Sequence, residues 1–291
     1  MSLPERSPLT DLSPAERLNF LLTNRIPRRF ATQLVGRLSR IESPTFTRLG
    51  IRLWQLFGGD LSLHESEQTS FRSLQECFTR SLKPGLRPIA PGDDVITSPC
   101  DAIVGACGLA HGTTVYQTKG FPYTLGELLP DDRLVDRFRG GRYVTLRLRS
   151  NMYHRFHAPA DCRVRRLSYV SGDTWNVNPV ALKRVERLFC RNERAILELE
   201  LARSDELLAL VPVAAILVAS MRFTFTDEAL GLTYAGPETI DCDATVSKGD
   251  ELGRFLLGST IVVFAPASFR LGAGLLEGTT IRMGEPLLTR G

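Results

Sequence analysis

The chain has 291 residues, 43% of them hydrophobic, which is enough to bury the core of one or two domains. Its net charge of +4 is concentrated in residues 1–60, which contain nine Arg, no Lys and five acidic residues. Nucleic-acid binding usually requires a denser basic stripe with aromatic residues for base stacking, so we expect no nucleic-acid partner. Six scattered cysteines without CxxC spacing argue against a disulfide framework or a zinc site and predict reduced thiols in a cytosol-facing protein.

The sequence contains no segment that predicts a signal peptide or a membrane span. The N-terminus opens with Pro, Glu and Ser rather than with basic residues before an apolar run. The longest apolar run, residues 207–219, is interrupted by Pro212 and is too short to cross a bilayer.

The first 60 residues predict a series of helices. Ser13 and Pro14 suit the N-cap and the first position of a helix. Two further segments, residues 27–41 and one that begins at Pro44, place apolar residues at helical spacing opposite arginines. Periodicity alone favours packing of these faces on the protein's own core, which is the commoner fate of an amphipathic helix. Arg-rich amphipathic helices with Trp and Phe also lie in membrane interfaces, and a lipid substrate would favour that alternative.

Beyond the polar segment 65–70 the pattern changes from helix to strand. Phe71 to Leu82 predicts one more helix, which Pro84 ends. Short, often alternating runs then predict strands at 144–148, 163–170, 195–201, 221–226 and 260–264. We therefore expect an α+β protein, with N-terminal amphipathic helices (1–68) followed by a mainly β, sandwich- or barrel-like catalytic domain (69–291).

Three widely separated segments carry residues that could form a catalytic site. They are Asp101, the pair His154 and His157, and Ser259 after Gly258. An Asp, a His and a Ser can assemble as orienter, base and nucleophile. Each residue alone also has an ordinary explanation, with Asp101 and Ser259 as turn or strand-start residues and the histidines as a metal pair. No third metal ligand lies at informative spacing, so we expect no metal site.

A Gly-Ser pair near the C-terminus lies at the centre of a wider set of motifs. The segment reads Leu257-Gly-Ser-Thr260 and follows Lys248-Gly-x-x-x-Gly-Arg-Phe255. It resembles the self-cleavage motif of the phosphatidylserine decarboxylase proenzyme family. Further segments resemble this family in the same order: Phe78-Thr-Arg80, Lys83-Pro-x-x-Arg-Pro88, Lys119-Gly120, Tyr153-His-Arg-x-His157, Val177-Asn178, Arg191-Asn-Glu-Arg194 and Arg282-Met-Gly-Glu-Pro286.

The resemblance implies self-cleavage between Gly258 and Ser259. Ser259 Oγ would attack the Gly258 carbonyl, and β-elimination followed by hydrolysis would leave a pyruvoyl group on the new N-terminus. His157 would be the base for this attack, oriented by Asp101. The products would be a β chain of residues 1–258 and an α chain of residues 259–291. The covalent pyruvoyl cofactor would accept electrons during decarboxylation, and His154 would return a proton to the product.

These implications define the expected function, which is conversion of phosphatidylserine to phosphatidylethanolamine and CO2. The basic helices would hold the enzyme as a peripheral protein on the anionic cytoplasmic face of the cell membrane. The cleaved β and α chains would remain together as a heterodimer, which could pair again as a dimer of heterodimers. Three alternatives stay open: a pyruvoyl-dependent decarboxylase of a soluble amino acid, a serine hydrolase with the same triad, and a non-catalytic membrane-binding homologue.

Overall fold

The computed structural model describes residues 27–118, 121–204, 206–216, 220–256 and 260–291. The helix predicted at Ser13, the Lys119-Gly120 pair and the Gly258-Ser259 bond lie outside these residues. The helices are α1 (Arg28–Leu38), α2 (Pro44–Gly58), α3 (Leu74–Phe78), α4 (Leu125–Leu128), α5 (Asp132–Phe138), α6 (Pro179–Leu182) and α7 (Leu188–Arg191), with a 3₁₀ turn at Leu63–Glu65. The described part of the chain has no helix that is long and apolar enough to cross a membrane.

Helix α2 begins and ends with recognisable sequence signals. Ser43 Oγ accepts a hydrogen bond from the Phe46 N–H, and Pro44 occupies the first turn, where a backbone donor is not needed. Gly59 ends the helix with a φ of 85°, a conformation that glycine adopts without strain. The helix predicted from Phe71 to Leu82 is shorter than expected, since α3 leaves helical geometry at Thr79.

The remaining chain is mainly strand, as the alternating runs predict. The strands are β1 (Val95–Thr97), β2 (Ala102–Leu109), β3 (Thr114–Thr118), β4 (Phe121–Thr124), β5 (Arg142–Arg147), β6 (Arg155–His157), β7 (Cys162–Val170), β8 (Arg194–Leu201), β9 (Leu207–Val213), β10 (Ser220–Phe223), β11 (Ala229–Gly231), β12 (Thr239–Val246), β13 (Glu251–Phe255), β14 (Thr260–Ala265), β15 (Phe269–Leu271), β16 (Thr280–Ile281) and β17 (Pro286–Arg290). The predicted α+β class with a mainly β core is confirmed, and the described strands form no closed barrel.

Within the described ranges, the largest sheet has the strand order β12-β7-β8-β9-β14-β5-β2-β16 and is antiparallel throughout. Strand β14 lies inside this sheet, between β9 and β5, and its side chains alternate between two apolar clusters. Ile261 and Val263 join the first cluster, whereas Val262 and Phe264 join the second. The sheet is therefore buried on both faces around β14, which explains why this strand reads as a continuous apolar run.

Smaller sheets and helices cover the two faces of the large sheet. The first cluster also contains Phe156 and Phe255 from the sheet β11-β10-β13-β6, and Ile96 and Leu288 from the sheet β1-β17-β15. The second cluster contains residues of α4 to α7, including Leu134 and Phe138. The result is a sandwich in which β6 and β13, the strands that carry or adjoin the candidate histidines, form part of one layer.

Helices α1 and α2 expose their apolar sides. The exposed large apolar residues of this segment are Phe30, Leu34, Leu38, Ile41, Phe46, Leu49, Leu53, Leu56 and Phe57, with Leu56 74% and Phe57 85% exposed. The buried positions of α1 and α2 are instead Thr32 and Thr47, and the Thr47 hydroxyl donates to the Arg72 carbonyl at 2.9 Å. The prediction from periodicity, that these faces pack on the protein's own core, is therefore wrong.

Candidate active site

The imidazole of His157 has a defined tautomer, set by two hydrogen bonds. Its Nδ1 lies 2.8 Å from the Gly249 carbonyl oxygen, and its Nε2 lies 2.9 Å from the Tyr153 hydroxyl. A carbonyl oxygen can only accept, so Nδ1 carries the proton and donates it to Gly249. The lone pair of Nε2 then accepts from Tyr153. His157 is thereby held with a basic Nε2, which is the arrangement that a general base requires.

The surroundings of His157 also favour its neutral form. Burial lowers the pKa of this imidazole, although the hydrogen bond to Gly249 and the charge of Glu251 act in the opposite direction. The Gly249 carbonyl belongs to the turn between β12 and β13, and Gly249 itself has a φ of 94°. Pairing of β6 with β13, in which His157 lies opposite Glu251, brings the ring to this turn. The His157 ring is positioned by strand register.

Asp101 does not orient His157 by a direct hydrogen bond. Its carboxylate accepts from Arg87, with Nη2 to Oδ2 at 2.6 Å and Nε to Oδ1 at 2.9 Å, and from the Met283 N–H at 2.9 Å. Among the described residues, both ring nitrogens of His157 are bonded to other groups. The expected contact between Asp101 and His157 is therefore not formed in this arrangement. The two residues still interact at longer range, since the charge of Asp101 acts to raise the pKa of His157.

Arg87 joins Asp101 to the N-terminal region. The Arg87 Nη2 also lies 2.7 Å from Glu65 Oε2, and the guanidinium is almost completely buried. Sequence reasoning assigned no role to Arg87 or Arg80, although both stand in family-like segments. The buried guanidinium of Arg80 donates to backbone carbonyls, including Leu61 at 2.7 Å and Cys77 at 3.3 Å. A buried arginine leaves no signal in periodicity, because its partners are distant in sequence.

His154 is fully buried and makes one hydrogen bond. Its Nδ1 lies 2.8 Å from the Met152 carbonyl, so Nδ1 carries the proton, while its Nε2 has no hydrogen-bond partner among the described residues. Burial, reinforced by the positive charge of Arg80, lowers the pKa of His154 to about 3. The ring is therefore neutral at pH 7 and presents an unused lone pair inside the protein.

The strand next to the histidines leads directly to the predicted cleavage position. The Phe255 N–H donates to the His154 carbonyl at 3.1 Å, and the Leu256 N–H donates to the Ser220 carbonyl at 3.1 Å. The described chain resumes at Thr260, which is fully buried and whose hydroxyl has no partner among the described residues. His154 thus contacts the backbone three residues before Gly258, whereas Gly258 and Ser259 themselves lie outside the described residues.

A cavity of about 230 Å³ lies beside Asp101. Its lining includes four arginines, Arg80, Arg87, Arg149 and Arg282, together with the acidic residues Asp60, Glu65 and Asp101. Arg87 and Arg80 are occupied by the contacts given above. The lining contains one more arginine than acidic residues, which favours an anionic ligand.

Comparison with known proteins agrees with the motifs. The family model described as phosphatidylserine decarboxylase matches residues 74–289. A phosphatidylserine decarboxylase proenzyme of Anaeromyxobacter sp. (strain K) is 37% identical over 280 residues, which cover 94% of this chain and 98% of the relative. Proteins of the same name from Vibrio cholerae and Brevibacillus brevis are 36% and 32% identical, over 90% and 92% of this chain and 94% and 96% of their own lengths. The chain belongs to the phosphatidylserine decarboxylase family.

Not every segment that resembles the family adjoins the candidate site. From the sequence, the Arg191–Arg194 segment could be either an anion-binding group or a surface ion pair. Arg194 is buried and donates to the carbonyls of Leu128 at 2.8 Å, Cys190 at 2.7 Å and Glu127 at 3.0 Å. Its guanidinium therefore braces α4 and α7 against β8. Among the described residues, no group of three or more His, Cys, Asp or Glu side chains could hold a metal ion.

Proposed function

We propose that this chain is a proenzyme that cleaves itself between Gly258 and Ser259 and then converts phosphatidylserine to phosphatidylethanolamine and CO2. The observation that carries the proposal is the state of His157, whose Nδ1 is committed to the Gly249 carbonyl while Nε2 keeps a basic lone pair. This base lies on β6, the partner of the strand that leads to the cleavage position. The family names of the relatives supply the substrate class.

In the proposed cleavage, His157 accepts the proton of the Ser259 hydroxyl at Nε2. The serine oxygen attacks the Gly258 carbonyl carbon. The peptide C–N bond then breaks as the Ser259 nitrogen takes the proton back from His157, leaving an ester and a free amine. An unassisted serine hydroxyl is a weak nucleophile, so the base is needed at this step. Tyr153, which donates to the same lone pair in the intact chain, must release it for the transfer to occur. Asp101 acts on the base through its charge rather than through a direct contact.

The residues next to the cleavage position suit a buried polar group such as pyruvoyl. His154 Nε2 and Thr260 Oγ1 are both buried without a hydrogen-bond partner among the described residues. Unpaired buried polar atoms are costly. The Thr260 hydroxyl could donate to a neighbouring carbonyl, whereas the lone pair of His154 Nε2 could pair only with a donor such as a hydroxyl or an N–H. A pyruvoyl group made from Ser259 would supply an electron sink for decarboxylation. In turnover, His154 Nε2 would first take up a proton and then deliver it to the product carbon, while Arg149 and Arg282 of the cavity would bind the anionic head group.

The intact masses of freshly purified protein variants test the cleavage. We expect the wild type to appear as two chains divided after Gly258, the shorter one beginning with pyruvoyl, and Ser259→Ala to remain whole. His157→Ala should also remain whole, whereas the exposed His111→Ala should be cleaved like the wild type. A wild type that stays whole and unmodified would contradict the proposal, and labelling of Ser259 by a fluorophosphonate probe would then favour a serine hydrolase.

A separate assay tests the substrate. CO2 released from carboxyl-labelled phosphatidylserine in mixed micelles is compared with CO2 released from free amino acids, starting with serine. Cleaved protein that acts only on a free amino acid would favour the soluble-substrate alternative. Cleaved protein that acts on neither would contradict the proposed reaction while leaving self-cleavage intact.

We also propose that the apolar face of α1 and α2 docks on the cytoplasmic surface of the cell membrane. Exposed arginines, among them Arg29, Arg37, Arg40 and Arg48, accompany this face, which is the composition of a helix that lies in an anionic interface. A lipid substrate requires such contact, and the two chains made by cleavage would remain on the membrane as a heterodimer. A peripheral location follows from this arrangement.

Sedimentation with vesicles that contain phosphatidylglycerol tests the docking face. Phe57→Ser should weaken vesicle binding, because it removes an 85% exposed phenyl ring from the proposed contact. Leu276→Ser is the matched control, since Leu276 is 65% exposed but lies near the C-terminus, outside α1 and α2. Equal loss of binding in the two variants, or none in Phe57→Ser, would contradict the assignment of this face.

A further inference from the structure

Helix α2 has an inner face opposite to the exposed apolar residues. Gly50, Trp54 and Gly58 lie one turn apart on this face. A Cβ atom added at Gly50 would lie 2.8 Å from Leu74 Cδ1, and one added at Gly58 would lie 2.8 Å from Trp54 Cδ1. Gly50 therefore lets α2 approach α3 closely, and Gly58 leaves room for the Trp54 indole.

An aromatic stack runs from this inner face to His154. The rings of Trp54 and Phe78 are stacked, with centroids 5.4 Å apart and an interplanar angle of 15°. The Phe78 ring in turn lies against the His154 imidazole, with centroids 3.9 Å apart and an angle of 34°. Phe78 and His154 are both buried, so the stack is shielded from solvent at its His154 end. We call these three rings the aromatic stack.

The orientation of the His154 ring depends on few contacts. The hydrogen bond from Nδ1 to the Met152 carbonyl fixes one edge of the ring, and among the described residues nothing hydrogen-bonds to the other nitrogen. One hydrogen bond leaves the tilt of the ring undetermined. The face of Phe78 supplies the missing restraint, because a ring at 3.9 Å leaves no room for the imidazole to tilt towards it.

Arg80 makes a second link between the end of α2 and His154. Its Nη2 donates to the Leu61 carbonyl at 2.7 Å and to the Asn151 carbonyl at 3.3 Å. A longer contact of 3.5 Å reaches the carbonyl of Met152, which is the group that accepts from His154. The Asn151 side chain also donates to the Asp60 carbonyl at 3.0 Å. The segment that follows α2 is thus tied to the loop that holds the imidazole.

From this arrangement we infer that Trp54 and Phe78 are positioning residues for His154, and that they couple the seating of α2 on the membrane to the placement of the imidazole. The inference rests on the proposed function for the role of His154. One face of α2 meets the lipid and the other holds the stack, so a shift of the helix on docking moves Trp54 and, through Phe78, the ring of His154. Decarboxylation is then fastest in the docked enzyme, apart from any gain in substrate encounter.

Steady-state kinetics with phosphatidylserine in mixed micelles, run on the self-cleaved protein, separate positioning from binding. We expect Trp54→Leu and Phe78→Leu to lower kcat by about 10-fold with KM nearly unchanged, since misplacement of a catalytic group slows the chemical step. Trp54→Phe, which keeps a stacked ring, should restore most of kcat. Trp175→Leu is the matched control, because Trp175 is a half-buried indole that contacts α1 through Arg28, away from the stack. Its kcat should equal that of the wild type.

NMR of histidine-labelled protein provides a readout that does not depend on turnover. The chain has four histidines, so the His154 signal can be assigned with a His154→Asn variant. We expect short-chain phosphatidylglycerol micelles to shift this signal in the wild type and in Trp175→Leu but not in Trp54→Leu. If Trp54→Leu keeps the wild-type kcat, or if its His154 signal still shifts with micelles, the inference is wrong. If the wild type releases no CO2, the proposed function fails, and the NMR result alone decides whether the coupling exists.

Discussion

Replacing Arg87 with methionine would leave two largely buried carboxylates without their shared cation. Arg87 binds Glu65 at 2.7 Å and Asp101 at 2.6 Å, and its side chain is only 6% exposed. Methionine keeps much of the length and apolar volume of the arginine stem, so the change removes charge more than packing. Asp101 would keep one hydrogen bond, from the Met283 N–H. Glu65 would lose the contact that chiefly lowers its pKa.

The expected cost follows from the burial of the network. Removal of one partner of a buried ion pair typically destabilises a protein by about 3–5 kcal/mol, because the remaining charge is left without compensation. With a guanidinium slope of about 4 kcal/mol per M, a loss of about 4 kcal/mol moves the unfolding midpoint by about 1 M. The pKa of Glu65 is lowered from 4.5, so its stabilising contribution is present above pH 4.5 and is lost as the pH falls through the lowered value.

Guanidinium unfolding in a Ser259→Ala background, in which we expect the chain to stay whole, measures this loss. Arg203→Met is the matched control, since Arg203 pairs with Asp93 at the surface with both side chains more than half exposed. A surface pair contributes at most about 1 kcal/mol. If Arg87→Met lowers the free energy of unfolding no more than Arg203→Met does, the network is not a buried connection between the N-terminal region and the core.

Two further predictions concern the histidines. Because burial lowers the His154 pKa from 6.5 to about 3, stability should be full above pH 6.5 and fall below it, by about 2 kcal/mol between pH 7 and pH 5. Urea unfolding at both pH values should show a smaller fall in His154→Asn, and equal falls would contradict the neutral buried ring. Gly249→Ala should slow self-cleavage at least about 10-fold, because φ is 94° and the new Cβ would lie 3.1 Å from Ile89, displacing the carbonyl that holds His157. A gel time course of chain cleavage checks this, and an unchanged rate would show that the Gly249 carbonyl does not position His157 for cleavage.

Strand positions were the most predictable part of the fold. The runs predicted at 163–170, 195–201 and 260–264 correspond to β7, β8 and β14 within one residue at each end. Alternation reports burial on a pleated sheet directly, and β14 was recognisable because both of its faces are apolar. Whether the apolar sides of α1 and α2 are buried or exposed was not predictable in this way. A helix has the same period whether its apolar side meets a protein core or a membrane, and the buried Thr47 resembles an ordinary polar position.

The motifs indicated candidate catalytic residues, but the sequence did not indicate which groups hold those residues in place. His157 is held by a carbonyl 92 residues further along the chain, and the Asp101 carboxylate accepts from an N–H 182 residues away. These contacts depend on the register of β6 against β13 and on the return of the C-terminal segment, which spacing does not encode. The same limit applies to the aromatic stack, because no sequence pattern links Trp54, Phe78 and His154. The roles of Asp101, His154, His157 and Ser259 remain predictions.

The location of β14 inside the large sheet would set an order of events for the proposed maturation. A cut after residue 258 would leave the shorter chain with β14, β15, β16 and β17, which lie in two different sheets and pair with β9, β5, β1 and β2. Released before folding, such a fragment would have to find its place by a bimolecular encounter. The proposed cleavage requires Ser259, which precedes β14, to reach a base that the register of β6 against β13 positions, so it would occur only once β14 has assembled with the rest of the core. Maturation would then act as a checkpoint on folding, and a misassembled chain would never acquire its catalytic group.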